Sequence, residues 1–185
     1  MLARFFSAAL VLAAALPALA ADDVPLPPLT PKGEYLVMTQ DDATSSSKCI
    51  GNPATPMCAV ETLLACFVRG KDHLCQSALG VAWDKVPDFV SKLDWPPVIY
   101  RVVRREVLDD RHFPWRPQRD MDWRPGELDL RAADIRIDLV RKECWEKVTV
   151  PCVCEAPVRG PRGATAYIVR HEKGRWAVVT WGSVY

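Results

Sequence analysis

The sequence predicts an α+β domain in which amphipathic helices come first and strands follow. Two features carry this expectation. Between Met57 and Val68 the apolar residues recur at helical spacing, whereas beyond Pro97 the dominant period falls to two. The chain then closes on two arms, 165–171 and 175–181, rich in β-branched and aromatic residues and parted by Glu172-Lys173-Gly174, where Gly174 can take positive φ. Both arms are apolar on both faces, so their sheet is expected to be covered on each side.

Residues 1–20 read as an export signal: Arg4, a small and apolar stretch over 5–19, and Ala18-Leu19-Ala20 before the polar start at Asp22. The stretch is short for a bilayer-spanning helix and is interrupted by Pro17, which predicts cleavage after Ala20 and no stable membrane anchor. No cysteine stands at the cleavage point to carry a lipid. The alanine-rich form points to a bacterial periplasm first and to the secreted state second. Residues 21–48 form a leader, dense in proline from Pro25 to Pro31 and then in Asp, Thr and Ser, which is expected to be a semi-extended tether. Within it only Glu34-Tyr35-Leu36-Val37-Met38 could add an edge strand. The remainder, 49–185, is expected to be a single α+β domain.

In that domain Thr55 is placed to cap a helix that begins at Pro56 and presents Met57, Val60, Leu63, Leu64, Phe67 and Val68 as one arc before Arg69-Gly70 stops it. A second, short helix over 72–79 ends at Gly80, and a third over 87–93 is shut off by Pro96-Pro97. Strands are then expected over 98–108, over 134–140 and over 147–155, the last alternating Val148, Val150, Cys152 and Cys154. Between the first two strands, 111–127 holds Trp115-Arg116-Pro117 and Trp123-Arg124-Pro125. It reads as a loop pinned by stacked side chains or as a lid over a cavity.

Composition narrows the function. The chain has 24 basic and 23 acidic residues, and Arg4 is the only charged residue of the signal, so the mature protein is balanced. Without net charge there is no electrostatic driver for binding nucleic acid. Its 7 cysteines fit an oxidising compartment, and an odd number leaves one outside any set of internal bridges. Cys58 and Cys66 lie about 12 Å apart along the first helix, too far to bridge each other. Both also lie well off its apolar arc, which suggests disulfides to flanking segments: Cys66 with Cys75 across the Gly70 corner first, and Cys49 with Cys58 second. Cys144 could bridge to Cys152 or to Cys154.

No C-x-x-C pair or H-E-x-x-H occurs, so no metal site is expected, and no nucleotide fingerprint calls for a cofactor. Ser45-Ser46-Ser47-Lys48 matches S-x-x-K but lacks its companion motifs. His73, His112 and His171 have no partner spacing, so no catalytic residue is assigned. Tyr100, Tyr167 and Trp176, with Trp115 and Trp123 as lid, could line an apolar pocket; aromatic residues in strands are also ordinary core.

The order of helices and strands, with Thr55-Pro56-Met57-Cys58-Ala59-Val60-Glu61, Phe67-Val68-Arg69-Gly70-Lys71-Asp72 and the terminal arms, resembles the nuclear transport factor 2-like superfamily over about 53–181. The resemblance implies helices packed in the concave face of a strongly curved, mainly antiparallel sheet, a cone-like roll, and a homodimer through the sheet. Members include isomerases, dehydratases and binding domains, so the likeness implies a shape and no reaction. The tryptophan-rich insertion and the cysteines depart from the pattern, and the isomerases' catalytic tyrosine and aspartates find no matching positions. Two functions follow as expectations: a non-catalytic domain binding a small apolar ligand or a protein partner, or a small lyase or isomerase using a pocket carboxylate.

Overall fold

In the computed structural model, residues 25–81, 83, 96–109, 130–143 and 164–184 are described. The export signal, the helix expected over 87–93, the strand expected over 147–155, and Trp115, Trp123, Cys144, Cys152 and Cys154 lie outside them. The described elements run β1 (Leu36–Met38), α1 (Pro56–Arg69), α2 (Asp72–Ala78), β2 (Val98–Val107), β3 (Ile135–Glu143), β4 (Ala164–Glu172) and β5 (Arg175–Val184). The strands form one sheet in the order β1-β2-β3-β4-β5 with every pairing antiparallel, and the sheet curls into a half-barrel. The molecule is therefore α+β with a curved sheet.

The terminal hairpin closes through a two-residue turn, Lys173 at φ 49° and Gly174 at φ 79°, with Glu172 opposite Arg175. Positive φ at both central residues is the twist that suits a two-residue hairpin. Along β4, Tyr167 and Val169 are 0% exposed on one face while Ala166 is 0% and Ile168 is 1% exposed on the other. The sheet is thus buried on both sides here, in keeping with its doubly apolar arms.

At the start of α1, the Thr55 hydroxyl accepts the Cys58 N–H at 3.1 Å and Pro56 opens the first turn. At its end Gly70, at φ 58°, donates its N–H to the Cys66 carbonyl at 2.8 Å. The arc of α1 meets the sheet, where Phe67 lies 5.8 Å from the Trp181 ring. The opposite side corrects the sequence reading, which placed Cys58 and Cys66 outside the core. Glu61 and Thr62 are buried, and Cys66 and Cys75 are 0% exposed members of the main core cluster. The cover comes from α2 and from residues 39–51.

That cover also revises the leader. β1 pairs with β2, and Thr30 exchanges bonds with Val102, its amide donating to the Val102 carbonyl at 3.3 Å and its hydroxyl accepting the Val102 N–H at 3.0 Å. The outer edge of β1 is closed by Ser46, which donates its N–H to the Val37 carbonyl and accepts the Val37 N–H on its hydroxyl. Arg69 then ties the loop down, donating to the Thr39 carbonyl, the Asp42 carboxylate and the Ser45 hydroxyl. Residues 30–47 are part of the domain, whose N-terminal boundary therefore lies before residue 49. Composition understated this because the contacts are made by backbone and hydroxyl groups, which carry no apolar periodicity.

Candidate functional site

The most polar part of the interior lies where the covered side of α1 meets β2. Cys58, Glu61 and Thr62 share that side, three and four residues apart. The Tyr100 hydroxyl, from β2, donates to Glu61 Oε1 at 2.6 Å, with both side chains buried. Burial first, and the Glu61 charge second, push the tyrosine's ionisation far above its ordinary value. Tyr100 is consequently a fixed neutral donor, and a charge-assisted bond of this kind satisfies a carboxylate that would otherwise be costly to bury.

The second Glu61 oxygen, Oε2, lies 3.6 Å from Cys49 Sγ, and Ser47 Oγ lies 3.6 Å from the same sulfur. Cys49 is bonded to Cys58, so its sulfur has no proton: the approach of Glu61 is a contact, and toward Ser47 the hydroxyl is the donor and the sulfur the acceptor. Donor atoms of Cys49, Cys58 and Glu61 all fall within 4.8 Å of one another, a spacing that could suit a metal ion. In the bridged state both thiolates are consumed, and only the carboxylate oxygen remains as an ordinary ligand. The neighbouring Thr62 hydroxyl donates to the Cys58 carbonyl at 2.7 Å and accepts the Gly51 N–H at 3.1 Å, fixing the strap that carries Cys49. The second bridge joins Cys66 to Cys75 and locks α2 against the end of α1.

Of the aromatic residues singled out in the sequence, Tyr100 joins Glu61, whereas Tyr167 lies on β4 with β3 between them. Tyr167 is fully buried; desolvation raises its ionisation and the Arg141 charge draws it partly back. Trp176 is half-buried, with its ring edge-on to His171 at 5.3 Å and its backbone N–H donated to the Pro53 carbonyl. Tyr100 and Tyr167 belong to the same core cluster and Trp176 packs against it, while Trp115 and Trp123 fall outside the described residues.

Several telling residues were not singled out from the sequence. Glu61 is one, and its signal was its position one turn after Cys58, on a side of the helix that a disulfide must cover. Trp83 is another: it stacks on Trp181 at 5.2 Å and donates Nε1–H to the Val179 carbonyl at 3.0 Å. Gly80 donates to the adjacent Val178 carbonyl, so the chain after α2 satisfies the irregularity where β5 slips register against β4. On the other face of the sheet, Asp134 takes two bonds from Arg170 at 2.7 and 2.8 Å, and Asp138 takes two from Arg136 at 2.8 and 3.0 Å.

Among the described residues no helix is long and apolar enough to cross a membrane. Comparison of the chain with protein-family models, curated proteins and solved structures finds no match.

Proposed function

We propose that the chain is an exported, disulfide-stabilised domain that binds, without catalysis, a small apolar ligand or a protein partner in the periplasm. The observation that supports this reading is the state of the interior acids. Each buried carboxylate among the described residues already has a partner: Glu61 has Tyr100, Asp134 has Arg170 and Asp138 has Arg136. A general base must be free to take a proton from substrate, and partnered carboxylates are more simply explained as structural. In this reading α1 and α2 lie in the concave face of the curled sheet, as in a nuclear transport factor 2-like roll, and two copies associate through the sheet.

A thermal-shift screen with hydrophobic compounds, run beside a mass measurement in solution, tests it. A compound that raises the melting temperature in a concentration-dependent way supports a ligand, and a stable dimer supports the partner form. No stabilising compound and a strict monomer would count against both.

The second reading is a lyase or isomerase, and one observation favours it: Glu61 is a buried carboxylate beside a tyrosine hydroxyl. Turnover abolished in Glu61→Gln, with the fold retained, would move the assignment to that class.

A further inference from the structure

The two disulfides of the helical unit differ in setting, and the difference assigns them different chemistry. Cys66 and Cys75 are each 0% exposed in the core. Cys49 is half-buried in the strap, and Cys58 occupies the first turn of α1, beside the Thr55 cap. The Cys66–Cys75 bridge is therefore closed off in the core, while the Cys49–Cys58 bridge can be approached at Cys49.

We propose that Cys49–Cys58 is a thiol–disulfide exchange site, open to an exported dithiol, while Cys66–Cys75 is structural. An incoming thiolate attacks Cys49 Sγ, the S–S bond breaks, and Cys58 leaves as a thiolate. The donor's second thiol, deprotonated, then attacks the mixed disulfide at the donor's own sulfur. Cys49 leaves and takes up a proton, and the donor is left as a disulfide. Two electrons pass to the protein, and the donor is oxidised by the same two. Attack falls on Cys49 because it is half-buried whereas Cys58 is buried.

The reduced state keeps a partner for the Cys49 sulfur. The Cys49 thiol can donate to Glu61 Oε2, 3.6 Å away in the bridged form, while Tyr100 keeps that carboxylate oriented through its other oxygen. Glu61 is thus a positioning residue, and Glu61 and Tyr100 are the titratable groups facing the pair. The strap stays in place after opening because Gly51 remains bonded to Thr62 and the second bridge is intact. This inference does not depend on the binding reading, since it concerns exchange at the bridge whether or not a ligand is bound.

The test equilibrates the mature protein in glutathione buffers of graded ratio, traps free thiols by alkylation and maps the labelled peptides by mass. Cys49 and Cys58 are expected to label as a pair at a reduced-to-oxidised ratio about ten-fold or more below that needed for Cys66 and Cys75, with helical circular dichroism retained. Simultaneous opening, prior opening of Cys66–Cys75, or loss of helix on opening would overturn the assignment. A brief pulse of alkylating agent on the selectively reduced protein should label Cys49, the more exposed residue, ahead of Cys58. The reverse order would contradict entry through Cys49.

Discussion

At the scale of single residues, polar groups inside this protein are held in pairs, and each pair sets a testable cost. Tyr100→Phe keeps the ring but strips Glu61 Oε1 of its donor, so it should destabilise the fold by about 1–3 kcal/mol in urea unfolding, the cost of a buried acceptor left short. Asp134→Ala leaves the largely buried Arg170 without its bidentate partner and should cost about 3–5 kcal/mol in the same experiment. Asp41 is different because it is fully exposed. Its carboxylate accepts the Thr44 N–H, and this bond, followed by that from the Thr44 hydroxyl, holds its ionisation below the ordinary 3.8. A depressed folded value means that its contribution is complete above pH 3.8 and is lost as the pH falls through the lower folded value. Acid titration of the melting temperature should therefore show the wild type losing stability relative to Asp41→Asn below that point, with little difference between the slopes near neutrality.

At the scale of elements, the sequence announced what apolar periodicity and turn chemistry can announce. The α1 boundaries followed from Thr55-Pro56 and Arg69-Gly70, and the β4–β5 hairpin from its arms and Gly174. The same reasoning underrated residues 30–47, because this segment is held by Arg69, Ser46 and Thr30 through hydrogen bonds rather than by an apolar stripe. It also left Glu61 unremarked, since a charged residue on the far side of an amphipathic helix looks solvated until a second layer covers it. Trp83 illustrates the same limit: its use depends on where β5 slips register, which no local pattern reports. Trp83→Phe retains the stacking on Trp181 but removes the Nε1–H donated to Val179. It should lower stability by about 0.5–1.5 kcal/mol. Trp83→Ala removes the ring as well and should cost more, about 2–3 kcal/mol, below the range of fully buried aromatic truncations because the ring is half-buried. Near-equal losses for the two variants would show that the hydrogen bond, and not the ring, carries the contact.

At the scale of the whole molecule, the described residues join a curled five-stranded sheet to two helices, with a disulfide near each end of α1. Each staple closes a loop with a sequence separation of 9, which in the chain-entropy account contributes on the order of 2–3 kcal/mol by restricting the unfolded chain. Cross-links of this kind form and persist in an oxidising compartment. The claim on which the fold, the buried site and the exchange inference all stand is this pair of short-range bridges around α1. Peptide mapping of the purified protein under non-reducing conditions tests it most directly. The account predicts one linked peptide joining Cys49 to Cys58 and another joining Cys66 to Cys75. A bridge from any of these four to Cys144, Cys152 or Cys154, or a free thiol at Cys66 or Cys75, would contradict it.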